Sequence, residues 1–432
     1  MQFGTDGIRG RADDEITESV AYRFGYAVAE VFNDDVCFVG SDPRESSPRL
    51  VAAAIAGLEA GGSTVVHLGV ITTPGVAVVA ERRGGVGLVV SASHNPYYDN
   101  GLKLFGVGGT KLDTPTESAV QAAFDRAPAL DGPFGETPVN SSGVAEYVDQ
   151  LSSVIEPDSL LGMRLVLDCA NGAASELAGP LFRYFGAEVE LIHATPDGTN
   201  INQDCGSTHP EELAARVRAS HADLGMAFDG DGDRLIAVDG HGTIRDGDDM
   251  MILFARDLDV RGELGGTLVV TSMSNLGLRH AMRDAQIEVI ETDIGDRWVQ
   301  RALAENDLPF GGEQSGHLIF RRLWPTGDGL LSALLLADLV RRTGRLSELA
   351  EAAWTRSPQR LFSVPVDQYV ADVVTTVLDE LIVRHEIDND DYRLLVRASG
   401  TEPLVRVMIE ANDGAFVDEF VTSVQRRLGI EP

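Results

Sequence analysis

Three similar α/β domains, each with a mixed or parallel sheet, followed by a smaller C-terminal α+β domain, are the fold that this sequence predicts. Three observations carry it: short apolar runs alternate with helix-like stretches, the alternation recurs three times, and the tail of the chain breaks it. The 432 residues set the scale, because single cores seldom grow past about 250–300 residues and longer chains divide.

In the first copy, 36–40 is a short apolar run and reads as a buried strand. Ser47-Pro48 opens a helix, with serine as N-cap and proline at the first helical position, and Gly61-Gly62 closes it. A second strand at 64–68, a second helix at 74–83 and a third strand at 86–90 follow, and then the polar loop Ser91-Ala92-Ser93-His94-Asn95-Pro96. The second copy has strands at 164–168, 188–193 and 224–228, with helices near 173–185 and 211–220. It ends in Asp229-Gly230-Asp231-Gly232-Asp233-Arg234. The third runs through strand 267–271, helix 277–285, strand 288–291 and helix 296–305 into Gly311-Gly312-Glu313-Gln314-Ser315-Gly316-His317. Alternating strands and helices imply parallel sheets with right-handed crossovers, in which ligands gather at the carboxyl ends of the strands. All three polar loops fall there. After Arg356-Ser357-Pro358, read as a linker, strands at 393–396 and 404–410 flank a polar loop, and a helix spans 416–428. The expected domains are 1–140, 141–241, 242–356 and 357–432, with the Asp/Gly/Pro-rich stretch 127–137 leading to the first boundary.

Composition narrows the function. Asp and Glu number 67 against 35 Lys and Arg, a formal charge of −32. The pI near 4.5 argues against nucleic acid and anionic membranes as partners, since both need a basic face. Only Lys103 and Lys111 are lysine; the other 33 basic residues are arginine. Acid-rich, lysine-poor surfaces suit a cytoplasm of very high salt, and the even spread of the acids favours that reading over a docking face for a basic partner. Three dispersed cysteines, Cys37, Cys169 and Cys205, make neither a disulfide framework nor a zinc site. No signal-peptide pattern opens the sequence and no run approaches a membrane span, so a soluble cytoplasmic protein is expected.

The loops hold the chemistry. Asp229, Asp231 and Asp233 alternate with glycine, so a tight turn can aim three oxygens at one hard cation such as Mg²⁺ or Ca²⁺. An EF-hand is excluded, because Arg234 and Gly240 stand where its glycine and glutamate belong; a solvated Asp-Gly turn is the alternative. Ser93 precedes His-Asn-Pro, which is also turn chemistry. It sits in no nucleophile elbow, and His94, its chain neighbour, is poorly directed as its base if the segment is extended. A phosphate carrier that also gives oxygens to a metal suits Ser93 better. In the tail, Arg397, Ser399, Gly400, Thr401 and Arg406 offer an anion nest with arginine forks, or an ordinary hairpin turn. Glu313 and Ser315 supply an acceptor and a donor suited to sugar hydroxyls, while His317 is either a ligand contact or a satisfied loop residue. Arg9 near the start, and Gly295-Asp296-Arg297 at a helix start, add weaker signals; helix capping is the simpler reading of the latter.

Taken together, FGTDGIRG at 3–10, SASHNP at 91–96, NGLK at 100–103, DGDGDR at 229–234, GGEQSGH at 311–317 and RASGTEP at 397–403 resemble the α-D-phosphohexomutase family, in its order and over the whole chain. FGTDGIRG and the glutamine of GGEQSGH point to the family's glucosamine branch. The resemblance implies four domains around a central cleft, with Ser93 as phosphoserine and one Mg²⁺ held by Ser93, Asp229, Asp231 and Asp233. It implies that Arg9, Lys103 and Arg234 line the reacting phosphate, with Lys103 in proton transfer. His94 joins Ser93, Lys103 and Arg9 as a catalytic candidate. Arg234, Gly295, Asp296, Arg297, Glu313, Ser315 and His317 are substrate-binding candidates, and Arg397, Ser399, Gly400, Thr401 and Arg406 would hold the non-reacting phosphate. The implied activity interconverts glucosamine 6-phosphate and glucosamine 1-phosphate through a sugar bisphosphate, which also serves as activator, in a monomer or homodimer. Action on glucose or mannose phosphates is the nearest rival; a silent sugar-phosphate sensor and a phosphatase are others.

Overall fold

The computed structural model describes residues 7–33, 35–130, 132–365, 370–398 and 404–430. The chain forms two compact units, Met1–Ser272 with Ile290–Ala350, and Met273–Val289 with Glu351–Pro432.

The first unit contains three sheets. In one, β1 (Ile8–Arg11), β2 (Val36–Ser41), β3 (Thr64–Val70), β4 (Val86–Val90) and β5 (Asp99–Phe105) lie in the order β1-β5-β4-β2-β3. In the next, β6 (Arg164–Asp168), β7 (Glu188–Ile192), β8 (Leu224–Phe228), β9 (Leu235–Asp239) and β10 (Ile244–Arg245) lie in the order β10-β9-β8-β6-β7. In the third, β11 (Thr267–Thr271), β12 (Glu288–Thr292), β13 (Phe310–Gly312) and β14 (Leu318–Phe320) follow the order β12-β11-β13-β14. One pattern repeats: second strand, first strand, third strand, then a strand that turns back.

That returning strand makes each sheet mixed, the first of the two expected forms. β2 runs parallel to β3 and β4, and β6 to β7 and β8, but β5, β9 and β14 pair antiparallel with β4, β8 and β13. The reason is length. The polar loops span only 91–98, 229–234 and 313–317, whereas a parallel crossover needs a dozen residues or more. Each loop is therefore the tip of a hairpin whose first strand lies in the parallel part of the sheet. β4, β8 and β9 are buried along their whole length, which is why they read as continuous apolar runs.

Local departures have local causes. Ser46 is the N-cap of helix Ser47–Ala60 and makes no capping bond; Ser47, expected there, is the first helical residue and donates its hydroxyl to Asp42 at 3.1 Å. The helix expected at 173–185 is confined to Ala178–Tyr184, because Ala170 and Asn171 adopt left-handed backbone (φ 52° and 47°) and spend the intervening residues in turns. The second sheet continues past residue 241, to Arg245. No helix among the described residues is long and apolar enough to cross a membrane.

In the second unit β15 (Gln359–Pro365), β16 (Tyr392–Ala398) and β17 (Leu404–Ala411) form an antiparallel sheet in the order β15-β17-β16. Helices Val370–His385 and Gly414–Leu428 cover it with Val374, Leu381, Phe416 and Phe420, against Val407 and Ile409. Sequence reading missed β15 and the helix Val370–His385. The stretch read as a linker is fixed: Ser357 is buried, its N–H donates to Asn275 Oδ1 (2.9 Å), and Asn275 Nδ2 donates back to the Ser357 carbonyl (3.0 Å).

Candidate active site

The loop after β4 places Ser93 in left-handed backbone, φ 54°, with 1% of its surface exposed. Such a conformation is uncommon for a residue with a Cβ and persists where surroundings enforce it. Here they do. Ser91 Oγ accepts from the Ser93 N–H (2.9 Å) and donates to Asp42 (2.6 Å). Arg44, fully buried, pairs through Nε with Asp42 (2.8 Å). Its Nη2 donates to the carbonyls of Ser93 (2.8 Å) and Asn95 (2.9 Å), and Nη1 to those of Pro96 and Asp99. From the second sheet's side Asn202 Nδ2 donates to the same Ser93 and Asn95 carbonyls, at 2.8 and 3.0 Å. The segment is not extended at this turn, and His94 Nδ1 stands 3.4 Å from Ser93 Oγ. Burial, and the charges of Arg234 and Arg9, lower the His94 pKa to about 4.

The loop after β8 meets the first at Asp229, whose Oδ2 accepts from Ser93 Oγ at 2.6 Å. Asp231 Oδ2 accepts from Thr73 Oγ1 and from Lys103 Nζ, both at 2.5 Å, and Lys103 is 3.5 Å from Asp233. Lys103 arrives on β5, the return strand, and Thr73 opens helix Thr73–Arg83, so two elements of the first sheet grip the acidic loop. Ligand oxygens of Asp229, Asp231 and Asp233 lie within 4.8 Å of one another, all three residues buried. Asp231 Oδ1 and Asp233 Oδ1 are buried without a hydrogen-bond partner, an arrangement that is costly without a cation. The donor set is all carboxylate and suits a hard divalent ion such as Mg²⁺. Burial, with Asp233 and Asp231 alongside, raises the Asp229 pKa well above the usual carboxylate range. Burial acts on Asp233 the same way but is outweighed by Lys103, His317 and Arg234, which hold it well below. The backbone of Arg234 donates to Asp229 (3.2 Å), and its Nε lies 3.8 Å from Asp233.

His317 brings in the third loop. It is 4% exposed, with Nδ1 3.8 Å from Asp233 and Nε2 3.6 Å from Asp296. Burial pulls its pKa down, but Asp233, Asp296 and Glu313 outweigh that and hold it at about 9. Asp296 also meets Lys111 at 3.0 Å. Acids and bases thus alternate along Lys111, Asp296, His317, Asp233, Lys103 and Asp231. Capping is not the role of Gly295-Asp296-Arg297: the Gly295 N–H donates to Glu313 (3.0 Å), and no side chain caps helix Asp296–Glu305. Arg297 turns instead to Glu117 (3.0 Å) and Thr114 (3.1 Å). Glu313 is partly buried, Ser315 is exposed and Gln314 donates to Asp248 at 2.9 Å. Arg9 lies on β1 opposite Gly101.

In the second unit, Arg397 and Arg406 stand directly opposite each other on β16 and β17. Like charges so placed destabilise a strand pair. Ser399, Gly400 and Thr401 lie outside the described residues.

Sequence reading missed Asp42, Arg44, Thr73 and Asn202. One signal was available: Asp42-Pro43-Arg44 follows β2, at the carboxyl end of a strand where ligands collect.

Four domain families match the chain in order. They are phosphoglucomutase/phosphomannomutase alpha/beta/alpha domain I at residues 1–130, domain II at 145–242, domain III at 246–357 and the C-terminal domain at 377–426. A phosphoglucosamine mutase of Desulforamulus reducens is 44% identical over 99% of both chains. One from Desulforudis audaxviator is 43% identical over 98% of this chain and 97% of that one. A crystal structure of a phosphoglucomutase/phosphomannomutase family protein from Burkholderia thailandensis superposes with TM-score 0.79 at 27% identity, covering 98% of this chain and 96% of that one.

Proposed function

The chain belongs to the phosphoglucomutase/phosphomannomutase family, and from that premise we propose that it is an intramolecular phosphotransferase interconverting glucosamine 6-phosphate and glucosamine 1-phosphate. The observation that carries the proposal is the 2.6 Å contact of Ser93 with Asp229 inside a buried triad of aspartates. A serine so placed can carry a phosphoryl group, and full-length relatives above 40% identity carry the glucosamine name.

Ser93 is the phosphoryl carrier. In the first transfer its Oγ–P bond breaks as a sugar oxygen forms its own, giving the bisphosphate; the sugar hydroxyl loses a proton and Ser93 Oγ gains one. After the bisphosphate turns round, Ser93 takes the other phosphoryl group and both proton movements reverse. We assign those movements to Lys103 and His94, the latter on its 3.4 Å distance from Ser93 Oγ. Asp229, Asp231 and Asp233, with Ser93, would hold one Mg²⁺, which supplies charge neutralisation for the transferring phosphoryl group. Arg9 and Arg234 line the reacting phosphate, Glu313, Ser315 and His317 orient the sugar with Gly295, Asp296 and Arg297 behind them, and Arg397, Arg406, Ser399, Gly400 and Thr401 grip the other phosphate. Domain divisions at 140, 241 and 356, a monomer or homodimer, a sugar bisphosphate as activator, and a high-salt cytoplasm belong to the same reading; the last rests on the −32 charge.

The test has two parts. Intact mass, with and without a sugar bisphosphate, should show one added phosphoryl group that Ser93→Ala cannot acquire. kcat/KM on glucosamine, glucose and mannose phosphates, in high KCl with Mg²⁺, should favour glucosamine. A tenfold preference for either other sugar, about 1.4 kcal/mol of discrimination, overturns the substrate, and net phosphate release overturns the reaction.

A further inference from the structure

Arg342, near the end of helix Gly329–Thr343, meets Asp338 at 2.7 Å and Asp257 at 3.1 Å. Its neighbours Arg341 and Arg345 do not, nor does Arg164 at the head of β6: among the described residues none of the three has an ion pair or a side-chain hydrogen bond. All three line one cavity of about 670 Å³, together with His221 and His241. Its single lining carboxylate, Asp223, accepts from the Arg164 N–H at 2.8 Å.

Arg164, Arg341 and Arg345 are exposed, and two features beside them favour an anion. Arg345 stands immediately before helix Leu346–Ala353, beside the positive end of that helix's dipole, where Glu348 in the first turn is the acidic residue already present and a further anion is favoured. Ser347, in the first turn, is 4% exposed and lines the cavity, yet its hydroxyl has no partner among the described residues. An anion seated at the helix N-terminus would satisfy the hydroxyl, the backbone N–H groups and the guanidiniums at once.

We propose that this cavity binds a small phosphorylated ligand bearing two or more anionic groups, at a site that shares no residue with the one around Ser93. Its volume lies in the range of small-molecule pockets, roughly 300–1,000 Å³, and its walls join the edge of the second sheet to helices Gly329–Thr343 and Leu346–Ala353. A ligand here ties those elements together, which makes it a regulator rather than a substrate. This inference is independent of the sugar specificity proposed above.

The test uses the full chain with Mg²⁺ and inorganic pyrophosphate as probe, at ionic strength fixed with KCl, read by amide hydrogen exchange. The expected result is protection of segments 161–164, 221–223, 240–241 and 341–347. Half-saturation should rise at least tenfold in Arg341→Ala/Arg345→Ala and in Arg164→Ala, with turnover in the absence of probe unchanged. Protection confined to the Ser93 and Asp229 loops, affinity unaltered in both variants, or equal protection by KCl alone would each overturn the proposal.

Discussion

Replacing Arg44 by lysine keeps a positive charge beside Asp42 but removes a fork that no ammonium reproduces. The guanidinium serves Asp42 and four carbonyls, those of Ser93, Asn95, Pro96 and Asp99. Asn202 still donates to two of them and the Asp99 N–H to that of Pro96, so the Asp99 carbonyl is the one left short. At about 1–3 kcal/mol for an acceptor left without a donor, the fold should lose roughly 1–3 kcal/mol. The effect on rate comes through Ser93, whose left-handed backbone is enforced by these bonds. A displacement of about 1 Å at a reacting group can cost about 100-fold. Arg44→Lys should therefore lower kcat about 100-fold with KM nearly unchanged, and slow phosphorylation of Ser93 by a sugar bisphosphate to the same degree. Asn202→Ala, which removes two bonds from the other side, should slow the same step with a smaller loss of stability. Urea unfolding and single-turnover phosphorylation measure the two effects separately. If Arg44→Lys is destabilised as expected yet turns over within twofold of the parent, Arg44 supports the fold alone and the argument for positioning is wrong.

Four further outcomes are expected. Lys103→Arg, in a slot only 3% exposed between Asp231 and Asp233, should lower kcat about 10²–10⁴-fold, as loss of a proton-transfer group does; near-normal kcat would remove Lys103 from that role. Mg²⁺ at 100 times its Kd should add about 2.7 kcal/mol to stability, and Asp231→Asn should abolish that gain in calorimetry. Gly316→Ala should destabilise by about 2–4 kcal/mol, because φ is 89° and the new Cβ would fall 2.0 Å from the Leu235 carbonyl oxygen; urea midpoints decide. Burial pushes Asp328 up to about 6 against the bonds from Leu331 and Tyr147. Its native pKa exceeds the ordinary value near 3.9, so the native state holds the proton more tightly. The associated stability is complete below about pH 4 and is lost as pH rises through 6, roughly 3 kcal/mol in all. Asp328→Asn should thus gain on the parent by about that amount between pH 4 and 7, and a constant difference would contradict the assignment.

What could be read from sequence follows from what was local. Strands such as β4, β6 and β8 announce themselves because residues buried on both faces are apolar without a break. Ser93, the three aspartates and Glu313 stood out because glycine and polar residues cluster at hairpin tips. The return strands did not: Lys103 lies in β5, whose Asn-Gly-Leu-Lys start carries a polar signature although the strand is buried almost throughout. Nor did Arg44 and Asn202, since their partners lie 49–55 and 107–109 positions away in the chain and a buried charge looks like a surface one until its partner is known. His317 shows the same limit. Only the approach of Asp233 and Asp296 decides between a ligand contact and a satisfied residue, and neither aspartate is near it in sequence.

The hairpin tips also bear on how such a protein can change. Because each tip is pinned at both ends by paired strands, those of its residues that meet no other tip can be exchanged while the sheet beneath keeps its register. One scaffold rule, used three times, has been given a serine in one place, three aspartates in another and a glutamate with a histidine in the third. New specificity can therefore be sought at Glu313 and Ser315, leaving Gly316 and His317, which meet Leu235 and Asp233, in place.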